Sequence, residues 1–278
     1  MGQSTLSVVA ADTPDGLGGD VVDEQIASLA PWSHNLLLPS GHETAPDHPR
    51  GNFPRSKWGT LASAIPLDLT GWTALDTGCN AGFYTFELAK RGATVLGSDA
   101  DERYLRQARW AARAFGLQDR VLFERRGAYD LARSDERFDI VLALGGLDHL
   151  RHPLLALDIL AAKAERLFVL QTLSLPGEDD LHAPVDLRVD ESDTMLQLGW
   201  PKLAFIERRY EGDATSWWAP NHACVGAMLR SAGLEVVARP SRELYVCRPR
   251  GVPEAVRREV DAATGGDYRD ASSSQASP

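Results

Sequence analysis

From residue 72 onward the chain alternates between two hydrophobic rhythms. Short apolar runs of strand character occur at "WTALDT" (72–77), "TVLGSD" (94–99), "RVLFER" (120–125), "FDIVLALGG" (138–146) and "RLFVLQTL" (166–173). Between them lie stretches with the three-to-four-residue spacing of amphipathic helices. "GFYTFELAKRG" (82–92) closes on Lys90, Arg91 and Gly92, the residues helix C-termini prefer. "DERYLRQARWAARAFG" (101–116) carries acids in its first turn, and "PLLALDILAAKAE" (153–165) opens on Pro153. Residues 174–219 hold no sustained period. "NHACVGAMLRSAGL" (221–234) then reads as a helix, and "LEVVARPSRELYVCRP" (234–249) as two strands around a Pro-Ser turn. That last pair is too close for a helical crossover and must run antiparallel. The pattern predicts an α/β fold, a doubly wound and mostly parallel sheet of up to seven strands with helices on both faces.

Flanking this core, residues 1–24 and 251–278 are rich in Gly, Asp and Ser and read as a disordered leader and a flexible tail. Residues 25–70 read as an N-terminal lid, 71–250 as the main domain, and 174–219 as a cap inserted before its last helix. With 278 residues and 44% hydrophobic content the chain can bury a sizeable core. The net charge of −10 counts against a nucleic-acid partner held by a general basic surface. No run of 18 apolar residues suggests a membrane span, and the N-terminus lacks the basic start and apolar block of a secretory signal. The three cysteines are far apart without C-x-x-C spacing, so neither a disulfide framework nor a cysteine zinc site is expected. His34, His42 and His48 lack the spacing of a metal site, and no metal is expected. A soluble cytoplasmic protein, with a homodimer as an allowed assembly, fits these features.

The informative stretch is "ALDTGCNAGFYTFELAKRGATVLGSDAD" (74–101), a strand–loop–helix–strand unit. Dinucleotide sites want G-x-G-x-x-G, whose central glycine lets backbone touch the pyrophosphate. Here Asn80 takes that place, and its side chain is expected to block linked phosphates. No Gly-Lys-Ser/Thr follows, so a P-loop is excluded as well. A D-x-G-x-x-x-G loop with an acid ending the second strand suits S-adenosylmethionine, which has no phosphate. On this reading Asp99, followed by Ala100, holds the ribose hydroxyls. Gly78, Asn80 and Gly82 let backbone approach, and Asp76 takes the ammonium directly or through water. Ala128 and Tyr129 after the third strand and Leu144 at the end of the fourth flank the nucleoside.

These residues, with "FDIVLALGGLDHLRHPLLALDIL" and "QTL", resemble the class I S-adenosylmethionine-dependent methyltransferases. Within them the chain is similar to a bacterial group associated with sugar-transfer enzymes. The upstream block of that group is matched by Trp32, His34, Asn35, Gly41, Thr44, Pro46, Phe53, Lys57 and Trp58. The resemblance implies a Rossmann-like sheet of seven strands and S-adenosylmethionine as cofactor. It also extends to the transferase that alkylates a tRNA wobble uridine from carboxy-S-adenosylmethionine. That enzyme would grip the extra carboxylate with a lysine and a tyrosine where this chain has His34 and Asp148. An anion at Asp148 repels a carboxylate by about 4 kcal/mol at ~4 Å and an effective dielectric near 20, which favours the ordinary donor.

The chemistry is expected on "GGLDHLRH" after the fourth strand. His149 is the candidate base or orienter of a hydroxyl acceptor, with Asp148 assisting. Lys57 is a candidate for the methionine carboxylate, and Trp32, His34, Arg151, Trp218, Asn221 and His222 for the acceptor. The expected reaction is methylation of a small-molecule acceptor, a sugar or glycosylated metabolite. A wobble-uridine transferase, a carbon methyltransferase and a non-catalytic cofactor-binding partner protein remain the alternatives.

Overall fold

The computed structural model describes residues 19–181 and 183–265 of the chain. It divides into two compact units, Met1–Arg125 and Arg126–Pro278.

The first unit contains α1 (Gly19–Ser28), α2 (Phe53–Leu61), β1 (Thr73–Thr77), α3 (Phe83–Lys90), β2 (Thr94–Asp99), α4 (Glu102–Ala114) and β3 (Val121–Arg125). β2 pairs in parallel with β1 from Thr73↔Thr94 and with β3 from Val95↔Val121. Four of the five residues of β1 are buried, which is why it reads as an unbroken apolar run. Asp101 caps α4 through its contact with Arg103 N, and the helix buries Leu105, Ala108, Ala111 and Ala112 along one stripe.

The second unit contains β4 (Phe138–Leu144), α5 (Pro153–Ala161), β5 (Ala164–Gln171), β6 (Leu203–Phe205), β7 (Trp218–Pro220), α6 (His222–Ser231), β8 (Leu234–Ser241), β9 (Leu244–Pro249) and α7 (Glu254–Thr264). β4 and β5 are parallel, while β9 runs antiparallel to both β5 and β8. The main sheet is seven-stranded and mostly parallel, as expected. The first unit supplies the run β3-β2-β1 and the second the run β4-β5-β9-β8.

Several expectations are corrected. Residues 19–24, read as leader, belong to α1, and residues 254–264, read as tail, form α7. The rest of both expected segments, 1–18 and 266–278, lies outside the described residues. α1 is held by tertiary contacts that composition does not reveal. Trp110 Nε1 donates to Gln25 Oε1 (2.8 Å), and Gln107 Nε2 donates to the carbonyls of Leu29 (2.7 Å) and Pro31 (2.9 Å) just beyond the helix. In the terminal hairpin the turn falls at Arg242–Glu243, not at Pro240–Ser241, because register shifts in β8 let that strand continue to Ser241. β8 is an edge strand, where a proline costs no ladder bond. The irregular cap contains a 3-10 helix (Val189–Leu196) and an antiparallel ribbon of β6 and β7.

Candidate functional site

In the first unit the loop between β1 and α3 brings Asp76, Gly78, Asn80, Gly82 and Asp99 together. Every backbone amide of this loop has an internal acceptor. Gly78 N and Cys79 N donate to Ser98 O (2.8 and 3.0 Å), and Gly82 N donates to Cys79 O (2.9 Å). Asn80 N donates to Asp99 Oδ2 (2.9 Å), and Ala81 N to Asn80 Oδ1 (2.8 Å). The amides of Gly78–Gly82 are thus used within the loop and Ser98–Asp99. Asn80 does not stand across the loop as expected. Its side chain folds back onto its own loop, with φ 52, and the amides are consumed there.

Asp99 ends β2 with both carboxylate oxygens engaged, Oδ2 by Asn80 N and Oδ1 by Asp101 N (2.9 Å). Each oxygen keeps a second lone pair for a diol. Burial raises its pKa, against the pull of those backbone hydrogen bonds. A Cβ built at Gly78 would meet nothing within 4 Å, so the crest of the loop is open. At Gly82 (φ +88) a Cβ would stand 2.9 Å from the Phe86 ring and 3.2 Å from that of Phe123. An open crest and a held carboxylate fit a nucleoside bearing a ribose diol. Beside Asp99, the Ala100 carbonyl accepts from Arg125 Nε (3.1 Å).

Asp76 is wholly buried and accepts the Thr85 hydroxyl (2.6 Å). Burial lifts its carboxyl from 3.8 to about 7, opposed by the Thr85 hydrogen bonds and aided by Asp99. His34 is also buried, among Phe53, Phe83 and Tyr84, and its pKa falls to about 3, first through burial and then through Lys57, His48 and Arg50. Lys57 lies with its Nζ 5.7 Å from the Phe53 ring centroid. His34 Nδ1 and the Tyr84 hydroxyl are buried without a hydrogen-bond partner. Trp32, expected at the acceptor, is a core residue instead; its Nε1 donates to Ile26 O (2.9 Å) and its ring packs edge-on against Trp110. Trp32 anchors the segment that follows α1, through its bond to Ile26 O and its packing on Trp110.

In the second unit a 3-10 turn, Leu147–His149, follows β4. His149 is bracketed by acids. Asp148 Oδ2 lies 3.6 Å from its Nε2 and Asp213 Oδ2 lies 3.9 Å from its Nδ1. Nδ1 also lies 3.0 Å from the Thr215 hydroxyl, which donates to Asp213 Oδ1 (2.6 Å). A hydroxyl has one proton. Because Thr215 gives its proton to Asp213, it accepts from His149, which places an imidazole proton on Nδ1, while Nε2 is the nitrogen on the Asp148 side. The 3.6 Å gap is too long for a direct hydrogen bond.

Asp213 and Thr215 were not singled out by the sequence reading. The signal was present in "YEGDAT". Glu211 (φ 48) and Gly212 (φ 84) make the mirror-image turn of a tight hairpin, closed by paired bonds between Tyr210 and Asp213 (2.9 Å each). Asp213 Oδ1 then accepts Thr215 N (2.7 Å), a local turn typical of Asp. Trp217 N fastens this hairpin to Asp148 O (2.8 Å), and Trp218 Nε1 fastens it to Arg151 O (3.2 Å).

The remaining expected residues divide. Arg151 and Trp218 join the His149 cluster. Asn221 does not; its Oδ1 accepts Cys224 N and Lys202 N (2.9 Å each) and its Nδ2 donates to Trp200 O (2.7 Å), so it is the N-cap of α6. His222 stacks on Tyr245, with Nδ1 2.9 Å from the phenol oxygen. Burial and Arg239 lower its pKa. Ala128 is buried, Tyr129 accepts His152 N on its hydroxyl (2.9 Å), and Leu144 closes β4. Among the described residues no group of three or more His, Cys, Asp or Glu side chains could hold a metal, and no helix is long and apolar enough to cross a membrane.

The architecture is that of the class I methyltransferases. The chain is similar to the N-terminal domain of EvdMO1 with SAH bound, at 21% identity and a TM-score of 0.57, over 84% of this chain and 98% of that one. The same domain in the presence of SAH and D-fucose gives 22% identity and a TM-score of 0.56, over 84% and 97%. Residues 74–164 match the family model described as "Methyltransferase domain". A ubiquinone biosynthesis O-methyltransferase of Cereibacter sphaeroides is 38% identical over 91 residues, 33% of this chain and 36% of that protein. A tRNA U34 carboxymethyltransferase of Helicobacter pylori is 31% identical over 129 residues, 45% and 49% respectively. The chain thus spans about half, or less, of the length of the curated relatives it matches.

Proposed function

We propose that the protein is an S-adenosylmethionine-dependent methyltransferase acting on a hydroxyl of a sugar or glycosylated small molecule. Asp99 holds the ribose diol of the donor against the open crest at Gly78. When bound, the donor supplies a methyl carbon activated by a sulfonium. His149 removes the acceptor proton at Nε2, the nitrogen that the Thr215–Asp213 chain does not engage. The imidazolium so formed has a carboxylate on either side, Asp148 at 3.6 Å and Asp213 at 3.9 Å. Thr215 and Asp213 are positioning residues that fix the tautomer.

The observation that carries this reading is His149, whose Nδ1 is held by the Thr215–Asp213 chain so that its other nitrogen can take the proton a hydroxyl acceptor must lose. The match to an O-methyltransferase and the fold likeness to a protein crystallised with SAH and D-fucose support it. The test is transfer of an isotopically labelled methyl group to a panel of glycosides and their single-deoxy analogues. Turnover should vanish when one hydroxyl is removed, with the label recovered as a methyl ether. A product methylated on carbon or nitrogen, or no calorimetric heat with S-adenosylhomocysteine, overturns the reading.

A further inference from the structure

The loop that carries His149 also carries Arg151, exposed and lying over two rings of the cap. Its guanidinium carbon is 4.6 Å from the centroid of Trp217 and 5.2 Å from that of Phe205. Those rings are nearly parallel, at 17°, and Phe205 packs in turn on Trp218 at 4.9 Å. The loop and platform are tied together through Trp217 N to Asp148 O and Trp218 Nε1 to Arg151 O. Arg151 is thus a cation held in a fixed place, on the same short segment as the imidazole.

Its N–H edge has no hydrogen bond or ion pair among the described residues. Other ring-stacked arginines differ. Arg91, over Trp58, donates to the carbonyls of Ala62, Ile65 and Pro66. Arg103, over Tyr104, pairs with Asp101 (3.2 Å), and Arg239, over Tyr245, pairs with Glu178. Among the described residues, Arg50, over Phe53 in the turn before α2, shares with Arg151 a stacked guanidinium without such a partner. In a chain with 39 acids and 29 Lys and Arg, a ring-stacked guanidinium two residues along the chain from a candidate base is open to a ligand. A guanidinium stacked on rings presents its donors edgewise, the geometry that takes an oxyanion with two parallel hydrogen bonds.

We infer that the acceptor carries an oxyanion, a carboxylate or a phosphate, which Arg151 binds while His149 addresses a hydroxyl of the same molecule. This rests on the sugar-acceptor reading above and narrows it to acidic or phosphorylated sugars. Lys202 does not offer the same service, since its Nζ donates to the carbonyls of Leu196 (3.2 Å) and Gln197 (3.3 Å).

The test measures binding of glucose, glucuronate and glucose 6-phosphate to the full chain saturated with S-adenosylhomocysteine, in the parent and in R151A and R151K. At least one anionic probe should bind about tenfold or more tightly than glucose, through a charge-assisted bidentate contact. R151A should bring all three within about twofold of one another, and R151K should keep part of the preference as a point charge. Preference for glucuronate assigns a carboxylate, and preference for glucose 6-phosphate a phosphate. Equal binding of all three to the parent, no binding of either anion, or an unchanged preference in R151A overturns the inference. The binding of S-adenosylhomocysteine is measured first and separately. Its failure would remove the methyltransferase reading, whereas its success with indifferent sugars would remove only the oxyanion.

Discussion

His149 Nδ1 and the Thr215 hydroxyl stand 3.0 Å apart although 66 residues separate them in sequence. The contact fixes which imidazole nitrogen carries the proton. Replacing the base by H149A should lower kcat by about 10²–10⁴ while leaving the affinity for S-adenosylhomocysteine within about twofold. T215V and D213N should cost less, about tenfold each, and should move the acid limb of the pH–rate profile, where the base becomes protonated. A merely structural role would leave the limbs where they are. Turnover of H149A within threefold of the parent removes the base.

Asp99 secures both the loop and, on the proposed reading, the ligand. D99N keeps the shape but loses the charge that Asn80 N and Asp101 N address at 2.9 Å. Calorimetry should find S-adenosylhomocysteine bound at least about tenfold more weakly to D99N, and more weakly still to D99A, since a charged acceptor contributes about 1.5–3 kcal/mol. Unchanged affinity in D99A would place the ribose elsewhere.

Two glycines of the same loop should respond differently to alanine. Gly82 has φ +88 and the rings of Phe86 and Phe123 against it, so G82A combines backbone strain with a clash and should cost about 2 kcal/mol or more of stability in chemical denaturation. Gly78 has φ +68 but open space at its Cβ position, so G78A should cost about 1 kcal/mol and act mainly on ligand affinity. Equal stability losses for the pair would contradict the packing described.

Asp76 makes stability depend on pH. Its folded pKa of about 7 exceeds the ordinary 3.8 because the carboxyl is buried. Below about 4 the carboxyl is protonated in folded and unfolded chains alike, and its burial is harmless. As pH rises through about 7 the folded state must carry a buried charge, and stability falls. D76N removes that charge and keeps an acceptor for the Thr85 hydroxyl. The variant should be more stable than the parent at pH 8, by about 2–4 kcal/mol, with the gap closing toward pH 4. Parallel stability curves for parent and variant would refute it.

His34 should act in the opposite direction. Burial first, then Lys57, hold its pKa near 3 against an ordinary 6.5. Its contribution to stability is complete above 6.5 and is lost as pH falls toward 3, where the buried ring must charge. H34Q should therefore flatten the acid limb of the stability curve between those values. NMR of the ring should find no titration between pH 5 and 8; a midpoint within that window would show an accessible imidazole.

The sequence by itself determined the sheet. Strand and helix rhythms from residue 72 to residue 249 give element type within a few residues, because burial on both faces forces unbroken apolar runs and covering helices need one apolar stripe. It also located the loop at Gly78–Gly82 and the acid at Asp99, since backbone shape and a strand-end carboxylate leave local marks. What tertiary structure decided was how polar groups are used. Trp32 and Asn221 have the residue types of a site, yet a buried anchor and a helix cap employ them otherwise. α1 and α7 escaped notice because docking, more than periodicity, stabilises short helices. The pairing of His149 with Thr215 and Asp213, and of Arg151 with Trp217, joins residues more than sixty positions apart. Hydrogen bonds and ring contacts of that range follow from the folded path of the cap, which no local pattern encodes.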